Sequence, residues 1–94
     1  MKIYYTVNEI QEFINKKRPR PLGLVPTMGA LHKGHISLIE ASLKECPVTV
    51  VSIFVNPTQF NDRHDLESYP RMPDKDISIL SGILREDDMV FLPS

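Results

Sequence analysis

The sequence predicts an α/β fold in which helices flank a parallel β-sheet, and three observations lead to this prediction. Short apolar runs of β-prone residues alternate with segments whose apolar residues recur at helical spacing. The run 48–55 is almost continuously apolar and β-branched, which is typical of a strand covered on both faces. Prolines end both early helical segments. The order strand, helix, strand, helix, strand corresponds to part of a doubly wound, Rossmann-like fold.

The first quarter of the chain is predicted to hold a strand, a helix and a second strand. Residues 1–5 form the first β-prone run, and Thr6 with Glu9 predicts a capping box at the start of the helix. Residues 22–25 form the second strand. The apolar stripe of the helix consists of Val7, Ile10, Phe13 and Ile14.

The remainder of the chain continues the alternation. A helix is predicted from near Gly34 to the residue before Pro47, and the strand 48–55 follows it. Residues 56–73 are polar and rich in proline and predict a long loop, a second helix-forming pattern covers 74–84, and the last strand is 89–92. The apolar stripes of these two helices are Ile36, Ile39 and Leu43, with Leu38 beside them, and Ile77, Leu80 and Leu84.

Composition limits the classes of function. The chain has 94 residues, enough for one domain at most, and its net charge of −1 gives no electrostatic reason to expect a nucleic-acid or membrane partner. The single cysteine, Cys46, cannot form an intrachain disulfide, so we expect a cytoplasmic protein in which this thiol is buried. Because the sequence stops directly after a predicted strand, we expect an incomplete fold, the N-terminal piece of a longer protein.

Two polar clusters follow neighbouring predicted strands. The first contains Gly29, His32, Gly34 and His35, and the second is the segment 56–60. Ligands in an open parallel sheet bind at the carboxyl ends of its strands, so both clusters are expected at one edge of the sheet. The convergence of the two clusters indicates a site there.

The first cluster suits the binding of an anion such as a nucleotide phosphate. The helix start predicted near Gly34 favours an anion, and His32 and His35 are spaced to donate to phosphate oxygens from the same side. Lys33 is expected to face solvent. The cluster is neither a Walker loop nor a G-x-G-x-x-G sequence. Two histidines at this spacing also occur by chance, and a zinc site is not expected because no cysteine or acidic ligand accompanies them.

The second cluster offers Gln59, whose side chain can both donate to and accept from a hydroxyl or carboxylate group. Taken alone, a loop glutamine is more often simply exposed. Pro57 is expected to stiffen this loop and Phe60 to anchor it to the core.

Three segments in register, 26–35, 51–60 and 65–71, together resemble the pantoate–β-alanine ligase (pantothenate synthetase) family, and the resemblance extends to residues 90–94. It implies a two-step reaction. Pantoate attacks the α-phosphate of ATP–Mg²⁺ to give pantoyl adenylate and pyrophosphate, and the amine of β-alanine then displaces AMP to form pantothenate. The H-x-G-H sequence alone would indicate only the wider nucleotidyltransferase superfamily.

The resemblance also implies roles for individual residues. His35 would be the proton donor and His32 would help to hold the phosphates. Pantoate would contact Pro26, Met28 and Gln59, and β-alanine would contact Gln59. The ATP-binding loop would comprise Met28, Gly29, Ala30, Leu31, His32, Lys33, Gly34 and His35.

Members of this family are about three times as long as this chain. Residues 1–94 would therefore be the N-terminal part of the ATP- and pantoate-binding domain, without the C-terminal domain. The complete enzyme would be a homodimer, and the isolated segment would have little or no turnover. Two alternatives remain open: another nucleotidylyltransferase of the superfamily, and a non-catalytic module that binds pantoate or nucleotide.

Overall fold

The computed structural model describes residues 1–17, 21–54 and 73–93, without the side chains of residues 17 and 73. Almost all of the predicted loop 56–73, including Gln59, lies outside the described residues. In chain order the elements are β1 (Lys2–Tyr4), α1 (Val7–Lys17), β2 (Leu22–Thr27), α2 (Lys33–Glu45), β3 (Val48–Ile53), α3 (Pro73–Ser81) and β4 (Met89–Phe91). The predicted α/β fold, a Rossmann-like parallel sheet with flanking helices, is confirmed.

The four strands form one parallel sheet in the order β1-β4-β3-β2. β2 and β3 pair over their whole lengths, from Leu22 opposite Val48 to Thr27 opposite Ile53. The chain therefore leaves these two strands at the same edge of the sheet, as the sequence predicts. The main-chain N–H of Phe54 donates to the carbonyl oxygen of Thr27 at 2.9 Å and joins the two exits.

The sheet is covered on both faces. On one face, α1 packs Ile10 and Phe13 against β3 and β4. On the other, Ile39 of α2 and Leu80 of α3 lie in a larger cluster with Val51. The burial of β3 on both faces agrees with its almost continuously β-branched sequence. Alternate side chains of a strand point to opposite faces, and here Val48 and Val50 pack in one cluster whereas Val51 and Ile53 pack in the other.

Several predicted details are corrected. α3 ends at Ser81 rather than at residue 84, and Leu84 follows in a turn in which its N–H donates to the carbonyl oxygen of Leu80 at 2.8 Å. Val7 and Leu38, assigned to apolar stripes, are exposed by 60% and 61%. Cys46 is only half-buried, at the end of α2. None of the helices in the described ranges is long and apolar enough to cross a membrane.

Candidate functional site

The histidine cluster lies where β2 leads into α2. His32 is the N-cap residue of α2, with an extended backbone (φ −138°, ψ −175°), and His35 lies in the first turn. Their rings are in contact, with centroids 4.1 Å apart and planes inclined by 45°. His32 is exposed and His35 is half-buried. The predicted placement of the two imidazoles on the same side is confirmed.

The two histidines cap the helix reciprocally. Nδ1 of His32 accepts the main-chain N–H of Gly34 at 3.0 Å, and Nδ1 of His35 accepts that of His32 at 3.1 Å. This is the arrangement of a capping box, with imidazole nitrogens in place of the usual hydroxyl and carboxylate oxygens. A nitrogen that accepts an N–H carries no proton, so each neutral ring holds its proton on Nε2. The cap therefore fixes both Nε2–H groups as donors.

Gly34 provides the room for this cap. A Cβ atom at this position would lie 2.9 Å from Cε1 and 3.2 Å from Nδ1 of the His32 ring. Real Cβ atoms essentially never approach another atom within 3.0 Å, so any side chain here would force the imidazole to move. The glycine between the histidines is thus required by the position of the His32 ring.

In the loop before α2, the main-chain N–H groups of residues 29–31 form hydrogen bonds to other groups of the protein. The N–H of Gly29 donates to Oγ1 of Thr27 at 3.2 Å, and those of Ala30 and Leu31 each donate to the carboxylate of Asp76 at 2.9 Å. With the two N–H groups of the cap, the amides of residues 29–32 and 34 are all engaged. None of these five amides is left for an anion, whereas the imidazole Nε2–H groups of the cap are donors that the cap does not use.

Two consecutive residues of this loop have left-handed backbones. Gly29 has φ +83° and Ala30 has φ +51°. A glycine adopts such a conformation freely, but for alanine it costs roughly 1–2 kcal/mol. The hydrogen bonds to Asp76, which lies in the first turn of α3 and is only 2% exposed, hold Ala30 in this conformation.

The surroundings of His35 favour its neutral form. Burial lowers the pKa of His35 and the neighbouring His32 lowers it further, whereas the Asp76 carboxylate acts in the opposite direction. The net pKa lies below the ordinary value of 6.5. His35 is therefore predominantly neutral at neutral pH, in agreement with its role as an acceptor in the cap.

The other predicted site residues are placed as follows. Pro26 is exposed at the end of β2, and Met28 is half-buried just after it. Leu31 is buried in the core. Lys33 is exposed, as the sequence analysis predicts. Gln59 is outside the described residues, so its proximity to the histidines stays a prediction. Within the described ranges, the structure contains no cluster of three or more potential metal ligands.

A concave region elsewhere on the described part of the chain is not suited to a nucleotide. It lies beside Tyr4 and Phe13, near the start of β1, at the end of the sheet opposite to the histidines. The four carboxylates and two ammonium groups that line it belong to Glu9, Glu12, Glu86, Asp87, Lys2 and Lys16. The excess of negative charge would repel a triphosphate.

Comparison with known proteins identifies the family. The family model of pantoate-β-alanine ligase matches residues 2–94. The chain belongs to the pantoate-β-alanine ligase family. It is 50% identical over 96 residues to the pantothenate synthetase of Porphyromonas gingivalis W83, covering 100% of this chain and 34% of that protein. Against the pantothenate synthetase of Staphylococcus haemolyticus the identity is 42%, over 99% of this chain and 33% of the relative.

Solved structures of the pantoate-β-alanine ligase family have the same fold. The crystal structure of the Francisella tularensis enzyme, complexed with β-γ ATP and β-alanine, superposes with a TM-score of 0.91 at 44% identity, over 100% of this chain and 36% of that one. The Thermus thermophilus enzyme gives 0.85 at 38% identity, over 100% and 32%. The chain thus spans about a third of the length of its relatives.

Asp76 is the site-forming residue that the sequence patterns did not single out. It contacts the loop from a position 46 residues beyond Ala30. One signal was present: Asp76 precedes Leu80 by four residues, so a carboxylate occupies the apolar face of the predicted helix. Asp74, two residues earlier, is exposed, as acidic residues in a first turn usually are.

Proposed function

We propose that this chain supplies the ATP- and pantoate-binding part of a ligase that joins (R)-pantoate to β-alanine and forms pantothenate through a pantoyl-adenylate intermediate. The observation that carries this proposal is the reciprocal cap, which presents two Nε2–H donors at the start of α2. Membership of the pantoate-β-alanine ligase family supports it. So does the crystal structure of the Francisella relative with β-γ ATP and β-alanine.

The chemistry requires stabilisation of phosphate charge. When the pantoate carboxylate attacks the α-phosphate of ATP, negative charge grows on the phosphate oxygens and on the departing pyrophosphate. In the proposal, His35 is the catalytic donor to this charge and His32 helps to hold the phosphates, with Mg²⁺ accompanying ATP. Adenylation makes the carboxylate carbon reactive, because AMP is a much better leaving group than oxide. The amine of β-alanine then displaces AMP.

The further assignments belong to the same proposal. Residues 28–35 form the ATP-binding loop, with Pro26, Met28 and Gln59 at pantoate and Gln59 also at β-alanine. Residues 1–94 are the N-terminal part of the Rossmann-like domain of a longer, cytoplasmic and homodimeric enzyme whose partners are small molecules. Alone, the chain binds ligand with little or no turnover. In its relatives, the part that this chain does not match is about twice as long as the part that it matches, and in the proposal that part supplies further residues of the site.

A chimeric enzyme tests the proposal. This chain replaces the matching third of the Porphyromonas gingivalis pantothenate synthetase, to which it is 50% identical. We expect release of AMP that depends on both pantoate and β-alanine. The control is the same chimera with His35→Ala, in which the rate should fall by about 10²-fold or more. A folded chimera without AMP release would contradict the proposal, and pyrophosphate release with a different acceptor would favour another nucleotidylyltransferase.

The 94-residue chain alone tests the alternative of a binding module. Calorimetric titration with ATP–Mg²⁺ and with pantoate measures binding, and an AMP assay on the same sample measures turnover. Binding without turnover agrees with the assignment of residues 1–94 as one part of a site. AMP release comparable to that of a complete relative would show that the missing two thirds are not needed.

A further inference from the structure

Asp76 connects α3 to the histidine site. Its carboxylate is 2% exposed, and each oxygen accepts one main-chain N–H: Oδ2 from Ala30 and Oδ1 from Leu31, both at 2.9 Å. A buried carboxylate is costly unless its oxygens are satisfied by donors. The two loop amides provide such donors, so the loop and the carboxylate are mutually dependent.

The bonded amides lie immediately before the capping residue. Leu31 precedes His32, and Ala30 holds the left-handed backbone that turns the chain from β2 into α2. A change in the orientation of these two peptide groups would rotate the His32 backbone. Because the His32 N–H is bonded to the His35 ring, it would also move that ring. The positions of both imidazoles therefore depend on the position of the Asp76 carboxylate.

A second buried aspartate shows that this connection is particular to Asp76. Asp88 is 0% exposed and, like Asp76, accepts two main-chain N–H groups, from Thr49 and from Arg85, both at 2.7 Å; it differs in also accepting the Arg85 side chain, 2.9 Å away. It precedes β4, at the end of the sheet opposite to the histidines. Asp88 thus has similar burial and main-chain bonding without contact to the site, and it serves as a matched control.

We infer that Asp76 is the positioning residue of this site: its carboxylate orients the peptide groups of Ala30 and Leu31 and, through them, the Nε2–H groups of His32 and His35 toward a bound nucleotide. The inference rests on the proposed function for the identity of the ligand. Asp76 itself does not touch the reacting atoms in this proposal. Its negative charge also favours protonation of the His35 ring.

The experiment compares Asp76→Asn with Asp88→Asn and with the exposed Asp74→Asn in the 94-residue chain. Three quantities are measured: the urea midpoint of unfolding, the imidazole titrations and ring nitrogen shifts by NMR, and the dissociation constant of ATP–Mg²⁺ by calorimetry. For Asp76→Asn we expect a lower pKa of His35, altered shifts of both rings, and ATP binding at least about tenfold weaker. For Asp88→Asn we expect lower stability with unchanged ring shifts.

The outcomes separate the inference from the proposed function. If Asp76→Asn loses stability but leaves the ring shifts and the His35 titration unchanged, as Asp88→Asn should, the inference is wrong. If the unsubstituted chain does not bind ATP, the inference is still decided by the NMR titration, which needs no ligand. If Asp76→Asn does not fold, Asp76→Glu retains the charge but displaces the carboxylate; ring shifts and ATP affinity identical to those of the parent would then overturn the inference.

Discussion

The imidazole of His35 accepts the main-chain N–H of His32 at 3.1 Å, so the second histidine of the pair fixes the backbone of the first. His32 in turn accepts the N–H of Gly34, inside the first turn that carries His35. Each ring thus uses Nδ1 to shape the helix start, and its Nε2–H takes no part in the cap. The helix cap depends on Nδ1, and the proposed donation to phosphate depends on Nε2–H. Substitutions that remove one nitrogen and keep the other can therefore separate the two roles.

The first prediction separates the two roles of His35. In His35→Asn, the amide oxygen takes the place of Nδ1 and can still accept the His32 N–H, but the Nε2–H donor is lost. We expect the free energy of unfolding to stay within about 0.5 kcal/mol of the parent, whereas His35→Ala should lose about 1 kcal/mol with the cap. In the chimera, both variants should release AMP about 10²-fold more slowly. A His35→Asn chimera with the parental rate would exclude Nε2 as the donor.

The second prediction concerns the pH dependence of stability. The pKa of His35 in the folded state is lowered below 6.5, mainly by burial, so the neutral ring stabilises the fold. That contribution is complete above about pH 6.5 and is lost as the pH falls through the lowered pKa. We expect the free energy of unfolding to decline toward the acidic end of a series of urea titrations from pH 7.5 to 5, as the ring takes up a proton and the cap weakens. His35→Asn, which cannot be protonated there, should lose this part of the decline; an identical decline in both proteins would refute the assignment.

The third prediction addresses Gln59. In the chimera, Gln59→Ala should raise the KM for pantoate far more than that for ATP, because the side-chain amide is assigned to the pantoate hydroxyl and carboxylate rather than to the phosphates. Initial rates of AMP release at varied pantoate and varied ATP measure the two constants. The His35→Ala chimera is the comparison, since its loss should appear mainly in kcat. Equal increases in both KM values for Gln59→Ala would count against the role of Gln59.

Local patterns predicted the parts of the fold that depend on residues close in sequence. The Thr6–Glu9 capping box is present, with the Glu9 N–H donating to Oγ1 of Thr6 at 3.2 Å and the Thr6 N–H donating to Glu9 at the same distance. Both partners lie within one helical turn, so spacing alone identifies them. The contact of His32 with His35 was predictable for the same reason.

Long-range contacts were not predictable from such patterns. The link between Asp76 and the loop spans 46 residues, and the sequence gives only the presence of a carboxylate on an apolar helix face. The end of α3 was missed because Leu84 continues the apolar spacing, although the chain leaves the helix after Ser81. Leu84 is nevertheless buried, so its place in the core was predicted correctly and its conformation was not. An apolar residue at the right spacing is expected to be buried against the sheet, but a helix and a turn can both bury it, so the spacing does not decide the backbone conformation.

The fourth prediction concerns the hydrogen bonds by which Arg85 joins the end of α2 to Asp88, the residue just before β4; we call this set of contacts the Arg85 clamp. The Arg85 side chain donates to Asp88 and also to the carbonyl oxygens of Leu43 and Cys46, at 3.2 and 3.0 Å. Burial alone would raise the pKa of Asp88, but hydrogen bonds from Arg85 and Thr49 lower it overall. Asp88→Asn should therefore cost about 3 kcal/mol, near the lower end for a buried pair because Arg85 is 41% exposed.

Arg85→Lys should destabilise the fold less than Asp88→Asn does. It keeps the positive charge but cannot reach both carbonyl oxygens and Asp88 together, so we expect a loss of about 1 kcal/mol. Urea unfolding above pH 6.5 measures both variants while His35 is neutral. A larger loss for Arg85→Lys than for Asp88→Asn would show that the helix carbonyl contacts, rather than the buried carboxylate, dominate the clamp.

The fifth prediction uses the glycine between the histidines. In Gly34→Ala the added methyl group would lie 2.9 Å from Cε1 of His32, so the ring must turn and its bond from the residue 34 N–H should weaken. Alanine favours a helix over glycine by about 1 kcal/mol, which offsets the loss of the cap and leaves the free energy of unfolding nearly unchanged. The rate of AMP release by the chimera should nevertheless fall at least about tenfold, because the Nε2–H group of His32 is displaced. Gly82→Ala is the matched control, since among the described residues its Cβ would meet only the carbonyl oxygen of Ile79 at 3.5 Å, an ordinary contact. If both substitutions leave the rate unchanged, the orientation of His32 does not determine the reaction.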